Sequence, residues 1–376
     1  MSPTAGFEQG PIRPPSEAYS LLVRVIRNCT WNRCTFCPVY KGRESSLRPV
    51  EDVLADVEAM AAAAEVLQAE GIGAVHDGSV PREAYQVALF LRDGARRVFL
   101  QDADPCAVVP EKLAMVIRRV RERFPTVTRV TTYARARTLA RRAPEQVALL
   151  AEAGLSRVHI GLESGADLVL KEIDKGCSSG DLVAAGERAL GAGLEICFYL
   201  MPGLGGRGAG AIHVAESARV LRTIAAAAPD ERPLIVRLRT VAVVPGTPLA
   251  EREASGGFVL PDDVEVAREL KDLLLALGEA RLEIRSDHAL NMLPSLEGSL
   301  PRDRDRLLGM LDDYLMLSRA DQARYAVGAR LGLYRMLDDL HDPKRRQALE
   351  RQLSEYRGAS PDELLRAAGA LRARFL

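Results

Sequence analysis

From Leu21 onward the chain alternates between short apolar runs rich in β-branched residues and longer stretches in which apolar residues return every three or four positions. The first pattern reads as strand and the second as helix, so the sequence is a repeated strand–helix unit. It predicts strands at 21–27, 97–101, 128–133, 157–161, 195–201 and 234–241. The intervening helices begin at prolines or capping residues, as in Pro49-Val-Glu-Asp, Pro110-Glu-Lys, Ala143-Pro-Glu-Gln and Ser179-Gly-Asp, with another from Ala211. Right-handed crossovers lay such helices over the outer face of a parallel sheet. The expected fold is α/β: a partial (β/α)6 TIM-like barrel over residues 19–250, preceded by an irregular lead-in at 1–18 and followed by a mainly helical region at 251–376 that caps a substrate. Within the barrel, 65–95 is a longer insertion with an extra helix around 81–91. The C-terminal region reads as a helix at 262–279, a short strand at 281–285, a loop through Gly298 and Pro301, and further helices.

The 376 residues exceed one average domain but suit a barrel with an appendage. With 51 basic and 51 acidic residues there is no excess charge of the kind that binds nucleic acid or anionic lipid. The N-terminal sequence has no basic segment leading into an apolar one, and no later stretch reaches about 18 consecutive apolar residues. A cytoplasmic protein with neither a membrane nor a nucleic-acid partner is expected. Of the six cysteines, Cys29, Cys34 and Cys37 fall within nine positions, whereas Cys106, Cys177 and Cys197 are scattered. That is not a disulfide framework, and clustered thiols in a reducing compartment point to metal.

The three clustered cysteines lie in Asn28-Cys-Thr-Trp-Asn-Arg-Cys-Thr-Phe-Cys-Pro38, directly after the first strand. In parallel α/β barrels the chemistry sits where strands end, so the position matters as much as the spacing. Three thiolates can hold three corners of an iron-sulfur cubane and leave one iron open to another ligand. A zinc site would need a fourth protein ligand or an open catalytic position. Buried structural thiols are the third reading.

The segment from Arg27 to Gly42 resembles the cluster loop of radical SAM enzymes, in the branch related to oxygen-independent coproporphyrinogen III oxidase and the Elongator-type proteins, and the similarity extends over roughly residues 20–250. The resemblance implies one [4Fe-4S] cluster on Cys29, Cys34 and Cys37, with S-adenosylmethionine on the fourth iron, cleaved reductively to a 5'-deoxyadenosyl radical. The family's usual first gap is three residues, and here it is four. Phe36 matches an aromatic position beside the adenine. Asp102 and Asp104, in Leu100-Gln-Asp-Ala-Asp-Pro105, match the contact to the methionine ammonium, with helix capping or turn closure as the alternative. Tyr133 falls where a ribose-binding carboxylate often stands. Glu163 and Ser164, in Gly161-Leu-Glu-Ser-Gly165, match the ribose or methionine region, and Lys175 matches a basic residue for the cofactor carboxylate. Met201 and Gly203, in Met201-Pro-Gly-Leu-Gly-Gly206, match the motif beside adenine.

Arg237 and Arg239 alternate on the sixth predicted strand and so share a face. Turned inward, they can bind a carboxylate or phosphate of cofactor or substrate; turned outward, they are solvated charges. His288, with Asp287 beside it and Asn291 nearby, is a candidate substrate ligand or general acid–base group, with a structural role as the alternative. His213 and Glu216 share a helical face, as a surface pair or a site. The scattered cysteines imply no auxiliary-cluster domain, and no cobalamin domain is expected ahead of the barrel. The expected partners are a small or medium-sized organic substrate and a one-electron donor such as flavodoxin or ferredoxin. The competing functions are a non-catalytic iron-sulfur carrier or redox sensor and a zinc-stabilised binding module.

Overall fold

The computed structural model describes residues 6–356 and 358–375, so the first five residues of the expected lead-in lie outside it. The strands are β1 (Leu21–Arg24), β2 (Ile26–Arg27), β3 (Ser46–Leu47), β4 (Arg97–Gln101), β5 (Arg129–Ala134), β6 (Leu155–Glu163), β7 (Glu195–Leu200), β8 (Leu234–Leu238), β9 (Leu282–Arg285) and β10 (Gly298–Leu300). All but β2 and β3 belong to a mainly parallel eight-stranded sheet in chain order, which is the expected α/β class with two more strands than the six of the predicted barrel. The chain divides into two compact units, described separately below.

The first unit comprises residues up to Asn32, Tyr40–Gly161 and Ala184–Cys197. In it β1, β4, β5 and most of β6 run parallel, with Leu22 opposite Phe99, Phe99 opposite Thr131, and Thr132 opposite Val158. The helix Pro110–Arg123 shows why the crossovers form. Proline opens it, Glu111 sits at its positive end, Arg121 and Arg123 sit at its negative end, and Leu113, Val116, Ile117 and Val120 make one buried stripe. Each such side chain, fully buried, contributes about 1.5–3 kcal/mol. The predicted first strand is broken. The Val25 N–H turns to the Gln101 carbonyl, and Ile26–Arg27 pairs instead with Ser46–Leu47 as an antiparallel ladder that brackets the cysteine loop. The lead-in is irregular but pinned: Glu8 pairs with Arg24, Arg27 and Arg48, and the Gln101 side chain bonds both the N–H and the carbonyl of Gly10.

The second unit comprises Arg33–Val39, Leu162–Val183 and Phe198–Leu376. Here β8 pairs parallel with β9, and β10 returns antiparallel to β9 with Leu300 opposite Leu282. β9 is the short strand expected at 281–285, whereas the loop expected through Gly298 and Pro301 is in part a strand, because Leu282 and Ile284 alternate into the core and leave β9 a free edge for β10 to cover. The sixth strand ends at Leu238 rather than 241; beyond it the Arg239 N–H reaches the Leu200 carbonyl and the Val241 N–H the Pro202 carbonyl. The helix expected from Ala211 begins at Gly206 and carries a kink at Ala209. Asp262 and Glu265 form a reciprocal capping box that fixes the start of the helix Asp263–Leu277. Asp263, just inside, is buried between the guanidinium groups of Arg330 and Arg372.

Candidate active site

The loop from Cys29 to Cys37 is shaped by its asparagines. Asn28 and Asn32 both take left-handed backbone angles, with φ of 64° and 48°, which asparagine tolerates better than most residues. The Asn32 side chain donates to the carbonyls of Tyr40 (2.6 Å) and Arg43 (3.0 Å), and its N–H lies 3.4 Å from the Cys29 sulfur. This left-handed turn takes up the four-residue first gap. Thr30 reaches Asp104 at 3.4 Å, and the Arg135 guanidinium lies 4.9 Å from the centre of the Trp31 ring.

The later part of the loop is held by main chain. The Thr35 N–H donates to the Ile173 carbonyl (2.9 Å), and the Thr35 carbonyl accepts from the Leu249 N–H (3.0 Å). Phe36 is buried among Ala166, Ile173, Met201, Leu204, Val241 and Phe258, and Cys34 and Cys37 pack against the same cluster. All six cysteines are free thiols, and the three of the loop are half-buried whereas Cys106 and Cys197 are buried. No three His, Cys, Asp or Glu side chains among the described residues gather about one point as they would around a single metal ion. A cubane asks for something different, one thiolate for each of three irons, and three soft donors within nine residues of sequence are the donor chemistry it takes.

The turn after β6 carries the Gly161-Leu-Glu-Ser-Gly165 motif. Glu163 has a left-handed φ of 58°, a conformation costing about 1–2 kcal/mol in a residue with a side chain, and its carboxylate meets Lys175 at 2.8 Å. Burial works against the Lys175 charge, but Glu163 and the thiols of Cys34 and Cys177 outweigh it and hold the ammonium above its usual range. Glu163 and Lys175, assigned separately to cofactor groups, are therefore paired with each other. Gly165 has a packing reason. A Cβ there would stand 2.4 Å from the Glu216 carbonyl oxygen and 2.5 Å from Ser217 Cα, so the glycine admits a helix rather than a ligand. Gly165→Ala is expected to destabilise the fold by about 2 kcal/mol or more, read as a lowered urea midpoint; an unchanged midpoint would show that the helix can retreat.

Ser164 is fully buried, its Oγ accepting from the Ala166 N–H (3.1 Å) and lying 2.8 Å from His213 Nδ1. On its other side, His213 Nε2 is 3.5 Å from Glu269, and Glu269 accepts the Gly203 N–H at 2.6 Å. This chain ties the Glu163 turn to the glycine turn, where Gly203 has a φ of 84°. It also corrects the pairing of His213 with Glu216, since Glu216 instead meets Arg219 at 2.8 Å. Burial pushes His213 down to about 4 and Glu269 up to about 7. Below its ordinary value of 6.5, His213 stabilises the fold fully above that pH and loses the contribution as pH falls toward about 4. Glu269, raised from 4.5 to about 7, acts in the opposite sense over the same range, so the His213 contribution is read as a difference: in urea unfolding the protein should lose stability relative to His213→Asn as pH falls from 6.5 toward about 4.

Asp102, Asp104, Tyr133 and Asn291 are committed to structure. Asp102 is fully buried, with one oxygen 2.6 Å from Arg24 and the other directly beneath Gly10. Burial raises its carboxyl despite that arginine. Asp104 is fully buried and accepts from the Arg135 N–H (3.0 Å) and Thr138 hydroxyl (2.6 Å), and burial brings it to about 6. It joins the turn after β5 rather than capping the helix at Pro110. Tyr133 stands edge-on to Phe99 (5.0 Å) and His159 (6.0 Å) in an aromatic cluster. Asn291 spends its oxygen on Thr240 and its amide on the Leu238 carbonyl. His288 uses Nδ1 to accept the Leu290 N–H, and burial with the nearby Arg239 and Arg237 pushes it down to about 4. It is neutral at physiological pH, which does not suit the general-acid role considered for it. Arg237 is 5% exposed, pairs with Asp287 at 3.1 Å and lies 5.9 Å from the centre of the Tyr199 ring, so it is not a solvated charge. Glu269, and Ser217 whose Oγ accepts the Gly165 N–H at 2.8 Å, are contributors that no sequence motif marked.

Residues 23–215, just over half of the chain, match the Radical SAM superfamily, and the chain belongs to it. A [4Fe-4S] cluster and S-adenosylmethionine are the cofactors of that superfamily. No curated protein matches the chain. Among solved structures it is similar to Elp3 of Methanocaldococcus infernus, at 15% identity and a TM-score of 0.44, with 62% of this chain and 59% of that one covered. It is also similar to the radical S-adenosylmethionine methyltransferase TsrM of Kitasatospora setae, at 14% identity and 0.45, covering 69% and 46%. The cobalamin-dependent enzyme OxsB gives 15% and 0.44, covering 94% and 53%. The chain therefore spans about half the length of these relatives.

Proposed function

We propose that the chain is a radical SAM enzyme acting on a small or medium-sized organic substrate. The observation that carries this reading is the loop in which Cys34, Phe36 and Cys37 lie against the Met201–Leu204 turn, in a chain of that superfamily. When bound on Cys29, Cys34 and Cys37, the cluster and S-adenosylmethionine supply a carbon radical strong enough to take hydrogen from an unactivated C–H bond. The protein's part is to place, orient and shield. Phe36, Met201 and Phe258 exclude water from the cluster side, and the Gly203 turn lets backbone come close to an adenine. Lys175 offers a positive charge to the cofactor carboxylate, with Glu163 holding its ammonium in place.

Residues 251–376 supply the substrate side, and a small one-electron carrier such as flavodoxin or ferredoxin supplies reducing equivalents. No helix among the described residues is long and apolar enough to cross a membrane. Anaerobic reconstitution should yield about four irons per chain, and dithionite with S-adenosylmethionine should then yield 5'-deoxyadenosine. Bound zinc in place of iron would overturn the reading, and a full cluster without cleavage would make the protein a carrier.

A further inference from the structure

The cationic patch at the end of β8 includes one guanidinium, that of Arg239, which no carboxylate among the described residues answers. Arg237 and Arg239 lie two residues apart on one face of the strand and its extension. Asp287 pairs with Arg237 at 3.1 Å, and no carboxylate among the described residues is in ion-pairing distance of Arg239. Arg239 is half-buried, and its Nε is buried with no hydrogen-bond acceptor. An unanswered buried donor costs about 1–3 kcal/mol and needs a reason to persist. The nearby polar groups do not answer it. Thr240 and Asn291 bond each other and the Leu238 carbonyl, and His288 keeps Nδ1 on the Leu290 N–H. The Tyr199 ring lies under Arg237 and walls the patch with an apolar face.

We propose that Arg239, set beside Arg237 and His288, is the receptor for a carboxylate of the substrate, which would make that substrate an organic acid. This rests on the radical SAM reading for the word substrate, but not for the existence of the site. Arg239 brings one positive charge that no carboxylate among the described residues pairs with, and burial with the neighbouring arginines pushes His288 down to about 4, so its ring adds none. A monoanion cancels that charge, whereas a phosphate dianion overshoots it. The planar fork of Arg239 matches the two oxygens of a carboxylate, and a lysine at the position would offer only a point charge. The neutral His288 ring can donate from Nε2 without adding a second charge to be compensated.

The test uses the full chain without S-adenosylmethionine or reductant, with propionate as the probe and propionamide as its neutral counterpart at equal ionic strength. Propionate should raise the melting temperature saturably and propionamide should not. Arg239→Gln should weaken propionate binding by roughly ten-fold or more, and Arg239→Lys should fall between the two. Should the glutamine variant fail to fold, the lysine variant carries the comparison. Equal responses to acid and amide, an unchanged response in a folded variant, or saturable binding of inorganic phosphate without propionate would each overturn the assignment. Failure of the proposed chemistry would appear separately, as absent 5'-deoxyadenosine formation by the wild-type protein, and would leave this binding result standing.

Discussion

Cys34→Ala is expected to fold normally and to lose both the cluster and the cleavage of S-adenosylmethionine. The separation of the two effects follows from how the loop is held. Its main chain is fixed by the bonds of Thr35 to Ile173 and Leu249, and by the Cys37 N–H on the Cys34 carbonyl, none of which uses the Cys34 side chain. Its apolar anchor is Phe36, not the neighbouring sulfurs. Removing one half-buried sulfur should therefore cost at most about 1 kcal/mol of stability. A cubane with two thiolates in place of three has lost a strong soft ligand, so iron content after anaerobic reconstitution should fall to a small fraction of wild type. The formation of 5'-deoxyadenosine should drop below detection. A variant with the wild-type melting temperature, full iron and full cleavage would remove Cys34 from the ligand set.

Asp263→Ala should produce the largest loss of stability, about 3–5 kcal/mol, because it leaves two buried guanidinium groups without their shared carboxylate. Asp263 is 1% exposed, Arg330 3% and Arg372 0%. Burial alone would raise the Asp263 carboxyl, but the two arginines more than offset it and hold it below the ordinary carboxylate range. Its stabilisation is thus present above the unfolded carboxylate range and is lost as pH falls through the lower folded value. Arg372→Ala should cost less, since Arg330 still answers the carboxylate and the bond from Arg372 to the Val241 carbonyl is long at 3.4 Å. Urea unfolding at neutral pH separates the two. A smaller effect for Asp263→Ala than for Arg372→Ala would mean that water reaches the arginines.

The alternating strands and helices were legible because their periodicity is local, and so was the loop at the end of the first strand. Strand 97–101 is found where the pattern put it. What could not be read depends on contacts across long stretches of chain. Glu269 occupies an ordinary place on an amphipathic helix, and only folding brings it to the Gly203 N–H, 66 residues away. Asp263 and Arg372 are 109 residues apart and follow no motif. β10 has three residues and no apolar alternation of its own, and it exists because β9 has an edge to fill. Gly165 closes a motif whose Glu163 and Ser164 were matched to the cofactor, and the reason it must be glycine is a helix that joins it from residues 216–217. Asp102 and Asp104 show the opposite limit. Their position after a strand matched a contact to the methionine ammonium, but Arg24, Thr138 and the Gly10 segment surround them.

The surroundings of Phe36 set a timetable for a ribosome-bound chain. Cys34, Phe36 and Cys37 are translated early, but the cluster that shelters them includes Met201, Leu249 and Phe258. For the time taken to translate the intervening two hundred or so residues, about 10–40 s at ordinary elongation rates, the thiols have no apolar wall and remain open to oxidants and stray metal. Iron delivered during that interval would meet a loop without a floor. Maturation is therefore expected to follow synthesis, on a chain already folded through Phe258, and cells short of reductant should accumulate protein that is folded but oxidised at this loop.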